Sequence, residues 1–170
     1  MYLVGDDWQK FFDSFQHDAF RLETHPVYTM AEEQEEFDSF LATGELNIPD
    51  DDPWLIRVRS FRHTGRSIGR VHVIRRPLTD YLRYEFAVYA YTARAGEEVR
   101  ILDLTDMENP GIPQQDFWMF DDSSVVLMHY REDGTQISRE LLTDPDLAKY
   151  REWKDLAVSL SVPFAEYIQG

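Results

Sequence analysis

The chain has 170 residues, 43% apolar, 14% aromatic and 29% charged, a globular composition long enough for one well-cored domain and too short for two. Its 17 Lys and Arg against 32 Asp and Glu give a formal net charge of −15, which argues against general attraction to nucleic acid or anionic membranes. The lack of cysteine excludes disulfides, Cys-ligated zinc, iron–sulfur clusters and thiol catalysis and suits the cytoplasm, and a start reading MYLVGDDWQK, with only short apolar runs after it, argues against export or membrane insertion.

Trp8, Phe11, Phe12, Phe15 and Ala19 stand at helical spacing, predicting an amphipathic helix over Asp7–Phe20 capped by Asp6 or Asp7. Ala19–Thr24 alternates apolar and polar side chains before Pro26 and reads as a short strand. Met30–Thr43 places Phe37, Phe40 and Leu41 among Glu32, Glu33, Glu35, Glu36 and Asp38 and stops at Gly44, predicting an acidic helix with a solvated outer face. Pro53–His63 fits a strand at Trp54, Ile56 and Val58 and a helix at Trp54, Leu55, Val58 and Phe61. Asp52-Pro53 as cap and first residue, and Gly65 as stop, favour the helix.

Ile68, Val71, Val73 and Ile74 form a β-branched run closed by Pro77, which predicts a strand. Thr79 caps an expected helix from Asp80 to about Arg94, ended by Gly96, and Val99–Leu104 returns as a strand. After a loop at Asp106–Gln115, Phe117–Phe120 and Ser124–Tyr130 read as a hairpin turning at Asp121-Asp122-Ser123. Glu132-Asp133-Gly134 makes a further turn, and a last helix starts at Thr143 or Asp144 and runs toward Pro163. The order α, β, α, α, β, α, β, β, β, α, without repeats or linkers, predicts a single α/β domain over residues 1–170. A mixed sheet with a parallel βαβ core, a C-terminal antiparallel hairpin and flanking helices is the expected architecture.

The charge is unevenly placed. Pro53–Thr79 contains no acid and seven arginines, Arg57, Arg59, Arg62, Arg66, Arg70, Arg75 and Arg76; taking these seven positive charges from −15 leaves −22 on the rest. This basic band is a candidate binding surface, and its bland counterpart is pairing with the acidic helix at Met30–Thr43. A second candidate is a pocket at the carboxyl ends of the strands lined by Tyr81, Arg83, Asp116 and Trp118. In an enzymatic reading, Arg83 or Arg75 anchors an anion and Asp116 or His72 serves as acid–base.

His17, His25, His63, His72 and His129 lack the spacing of a helical metal site, and Asp116, Asp121, Asp122 and Asp133 lack Ca²⁺-loop spacing, so no metal is assigned. No dinucleotide, P-loop or nucleophile-elbow pattern occurs, so no cofactor is assigned.

Phe15–Thr24 (FQHDAFRLET), Gly69–Arg100 with its PLTDYLRYE string, and Asp116–Gly134 (DFWMFDDSSVVLMHYREDG) resemble a family of actinobacterial proteins catalogued as domain of unknown function 6879. The resemblance implies a stand-alone or regulator-associated protein encoded near helix-turn-helix regulators. More remotely, a helix, His63–Gly65, the strand Ile68–Ile74, Ala95-Gly96-Glu97, the strand from Val99 and the hairpin follow the order of one half of the phospholipase D-like fold. That fold's His-x-Lys…Asp motif is absent. With Asp122 as its Asp, Gln115 and Phe117 fill the His and Lys positions, and with Asp121 they are Gln114 and Asp116, so neither nucleophile nor phosphate-holding cation is present.

The sequence thus predicts a cytoplasmic, non-catalytic regulatory or binding protein acting through a protein partner such as a helix-turn-helix regulator. It allows a homodimer and predicts neither membrane contact nor nonspecific nucleic-acid binding. The alternative is a small-molecule binder or hydrolase-type enzyme with a pocket over the sheet.

Overall fold

The computed structural model describes residues 1–170. In chain order the elements are α1 (Gly5–Asp13), β1 (Asp18–Glu23), a 3-10 turn (Ala31–Glu33) running into α2 (Gln34–Thr43), α3 (Pro53–His63), β2 (Ser67–Ile74), α4 (Asp80–Ala95) and β3 (Glu98–Asp103). Then follow β4 (Asp116–Phe120), β5 (Ser124–Tyr130), β6 (Gln136–Leu141), α5 (Leu147–Leu160), β7 (Val162–Pro163) and α6 (Phe164–Tyr167). The strands form one seven-stranded sheet ordered β6-β5-β4-β1-β2-β3-β7. β1, β2 and β3 run parallel, while β4, β5 and β6 form an antiparallel meander joined to the core by β1 and β4. The expected α/β fold with a parallel βαβ core and an antiparallel C-terminal addition is the fold observed.

Helix punctuation follows local chemistry. The Asp52 side chain accepts from the backbone N–H groups of Trp54 and Leu55, with Pro53 at the first turn, and Thr79 accepts from the N–H of Leu82; each satisfies donors that the helix leaves unpaired. Gly96 ends α4 at φ 119°, and a Cβ there would stand 2.7 Å from Cγ of Arg62, so this position needs glycine for both conformation and space.

Each sheet face has its own core. Phe20, Leu22, Val71, Leu102, Phe117 and Val125 pack under Ala157 of α5, with Tyr150 and Trp153 beside them. On the opposite face, Ala19, Ile68, Trp118, Phe120 and Val126 pack on Phe12 of α1 and Val58 and Phe61 of α3, while Ile74, Val99 and Ile101 pack on α4 and α6 through Leu82, Tyr89 and Phe164. Between these two apolar patches, on the same face, lies a polar centre. No helix is long and apolar enough to cross a membrane.

Several expected boundaries move. α1 stops at Asp13 instead of Phe20, because the polypeptide turns there and the Asp121 carboxylate takes the backbone N–H groups of Gln16, His17 and Asp18. Val4, and neither Asp6 nor Asp7, precedes the helix. α5 begins at Leu147 with Asp146 as its side-chain cap, since Asp144 takes a positive φ of 52° outside the helix. β6 was not expected; it is half-buried along most of its length and covered at its edge by the N-terminal residues, with Leu3 N–H donating to Arg139 O and Leu141 N–H to Met1 O.

Candidate functional site: a charged cavity over the sheet

The polar centre originates in β1. This strand lies between β4 and β2, so both its faces are covered, and the alternation that turns Phe20 and Leu22 toward α5 turns Arg21 and Glu23 into the opposite layer. Arg21 is in register with Arg70 of β2 and Trp118 of β4, and Glu23 with His72. Burying such charges requires partners. Arg70 bridges two carboxylates, donating through Nη1 to Glu23 Oε1 at 2.7 Å and through Nη2 to Glu97 Oε1 at 2.8 Å. Burial alone would raise the Glu23 carboxyl, yet Arg70, Arg21 and His72 hold it well below the usual carboxylate range.

Arg21 donates through Nη2 to the Tyr130 hydroxyl at 2.8 Å and lies 3.4 Å from Asp116. Asp116, fully buried, also accepts from Thr24 N–H at 2.8 Å, Thr24 Oγ1 at 2.7 Å and the Tyr28 hydroxyl at 2.5 Å. His72 is equally buried and committed, with Nε2 against His25 O at 3.0 Å and Nδ1 against the Tyr89 hydroxyl at 2.8 Å.

Above this floor lies a cavity of about 630 Å³, walled by α1 and α3 on one side and by α2 and α4 on the other. On the α2–α4 wall the Tyr81 hydroxyl donates to Glu33 at 2.5 Å and stands 3.2 Å from Glu85, and the Tyr84 hydroxyl donates to Glu36 at 2.6 Å. Burial, reinforced by the charges of Glu23 and Glu33, pushes the Glu85 carboxyl up to about 8, so it is mostly protonated at neutral pH. Burial raises Glu33 as well. On the other wall Arg139 of β6 lies over the Trp8 ring at 5.2 Å and has no carboxylate within ion-pair distance. Its pKa is lowered by burial and by nearby Arg21, against the opposing pull of Tyr130. Among the buried polar atoms without a partner are Nε of Arg21, Arg70 and Arg139 and Oε2 of Glu97, all in residues that line this cavity.

The structure scatters the arginine band. Arg57 pairs with Asp13, Arg62 lies 3.9 Å from Glu98, Arg70 is the floor bridge, and Arg76 approaches Asp103 and donates to the Tyr167 hydroxyl. Arg59 donates to Asp50 O, Arg66 to the carbonyls of Asp13 and Phe15, and Arg75 to those of Leu104 and Met107. None of these contacts involves Met30–Thr43, so the expected pairing with the acidic helix is replaced by pairing with other carboxylates and carbonyls. That helix also departs from a uniformly solvated outer face, since Glu33 and Glu36 turn to the cavity.

Of the expected pocket residues, Tyr81 and Trp118 line the cavity. Asp116 lies behind Tyr28, and Arg83 is exposed and paired with Asp80. The pocket therefore covers a sheet face. A separate cavity of about 360 Å³ sits at the carboxyl ends of β1 and β2, lined in part by Thr24, His25 and Arg75. Asp121 and Asp133 hold turn backbone, Asp122 pairs with Lys154, and no group of three or more His, Asp or Glu has metal-holding geometry. Sequence reasoning missed Arg21, Glu23, Glu85, Glu97 and Arg139. For Arg21 and Glu23 a signal existed in charged residues on a strand flanked by parallel β units; β6 was unassigned, so Arg139 had none.

The family described as a domain of unknown function, DUF6879, matches residues 6–169, and the chain belongs to that family. No curated protein matches it.

Proposed function

We propose that this domain is a non-catalytic binding protein whose ligand is a small molecule held in the cavity over the sheet. The observation that carries the reading is the floor of that cavity: Arg21, Glu23, Arg70 and Glu97 occupy positions where apolar side chains of similar size would serve stability as well or better. Buried charges retained beside a cavity of ligand size are the ordinary mark of a binding site. The non-catalytic part is supported by the commitment of His72 and Asp116 to protein partners, which leaves neither free to exchange a proton with a bound molecule.

Ligand binding to the native state raises stability by about 2.7 kcal/mol at one hundred times Kd. Thermal denaturation in the presence of a small-molecule extract of cells therefore tests the reading. A rise in melting temperature, reproduced by one purified component, supports it, and an unchanged transition across all fractions contradicts it.

Regulatory output through a protein partner such as a helix-turn-helix regulator is a companion proposal that rests on the gene neighbourhood of the resembled family. A cytoplasmic location rests on the absence of cysteine. Kinship to half of a phospholipase D-like fold rests on element order alone.

A further inference from the structure

The cavity separates its unpaired charges. On the β6 side, Arg139 has neither ion pair nor side-chain hydrogen bond and its buried Nε lacks a partner, in a protein with 32 acidic residues to choose from. Glu32 on the rim acts on Arg139 only through space. On the α2–α4 side, Glu33 and Glu36 accept from Tyr81 and Tyr84 and have no cation within ion-pair distance, although the chain has 14 arginines. Arg139 keeps an uncompensated positive charge until an anion enters, whereas Arg21 on the floor is already held by Asp116 and Glu23, and the two carboxylates of the opposite wall repel each other until a cation enters. An anion alone gains the first wall and meets the second, and a cation alone does the reverse. The lining also carries Trp54, Trp118, Tyr28 and Tyr130, aromatic surface that suits a flat apolar body.

Resting on the reading of the cavity as a ligand site, we infer that it takes a small zwitterion with a flat apolar body, its carboxylate at Arg139 and its cationic nitrogen at Glu33 and Glu36. Simultaneous compensation of both walls makes the site discriminate against molecules carrying only one of the charges.

Isothermal titration with four indole probes on the intact chain tests this: L-tryptophan with both charges, indole-3-propionate with the carboxylate, tryptamine with the ammonium, and neutral indole. L-tryptophan binds at least tenfold tighter than each of the others. Arg139→Gln weakens L-tryptophan and indole-3-propionate and spares tryptamine, whereas Glu36→Gln weakens L-tryptophan and tryptamine and spares indole-3-propionate. Both side chains sit at the cavity margin, and circular dichroism melts matching the parent show that the variants fold; Glu33→Gln repeats the acidic arm. Equal or tighter binding of a singly charged or neutral probe overturns the inference and leaves the ligand site standing, as does an equal loss for all probes in either variant. Failure of all four probes overturns the inference, and the extract-driven thermal shift then decides the cavity reading separately.

Discussion

Arg70 is the cation on which the polar floor depends. It bridges Glu23 and Glu97, both nearly inaccessible to solvent. Arg70→Met leaves two buried carboxylates facing each other and is expected to lower stability by about 3–5 kcal/mol. Arg83→Ala, which removes an exposed pair with Asp80, is expected to change it by no more than about 0.5 kcal/mol. Urea midpoints of the two variants check the contrast, and similar losses in both would contradict it. Glu85 gives a pH signature. Its folded pKa of about 8 lies above the unfolded carboxylate value, so its contribution is fully present below about pH 4.5 and is lost as pH rises through about 8, by on the order of a few kcal/mol. Glu23 has the opposite sign, its contribution being present above the unfolded carboxylate value and lost as pH falls. Glu85→Gln is therefore expected to flatten the decline in stability between about pH 5 and pH 8, measured by urea melts at each pH; an unchanged slope would assign the decline elsewhere.

Among the elements, α4 shows what local chemistry makes legible. Thr79 and Gly96 bound it in the sequence and in the structure. Thr79 has a second duty, because its hydroxyl also donates to Pro26 O at 2.7 Å and ties α4 to the segment after β1. Thr79→Ala is expected to cost about 1–2 kcal/mol, and Thr79→Ser to restore most of it; chemical denaturation of the pair distinguishes a cap from simple packing. β1 shows the limit of pattern reading. The alternation in Ala19–Thr24 is real, but a period of two does not say whether the second face meets water or another layer. Only the sheet order, fixed by long-range pairing, buries Arg21 and Glu23. β6 was illegible for a related reason: edge position and half-burial leave Gln136–Leu141 polar, with little contrast between faces. β7 and α6, of two and four residues, are too short for any periodicity.

At the scale of the molecule, the division into a −22 body and a +7 band dissolves on folding. The seven arginines that cluster in sequence go to carboxylates and carbonyls spread over several segments of the chain. The chain as a whole keeps its net charge of −15, and gel shifts with duplex DNA at about 50 mM salt are expected to show no complex; retention abolished by charge reversal at Arg75 and Arg76 would contradict this. What the fold concentrates instead is a cavity whose residues come from elements far apart in sequence, β1, α2, α4 and β6 among them, which explains why no contiguous motif announced it. The claim that this cavity is a ligand site is tested most directly by native mass spectrometry after incubation with a cell extract, comparing the parent with Val88→Trp, a substitution on the cavity wall that takes up part of the space. A small-molecule adduct on the parent and a reduced or absent one on Val88→Trp is the predicted result; no adduct on either protein, or equal adducts on both, would contradict it.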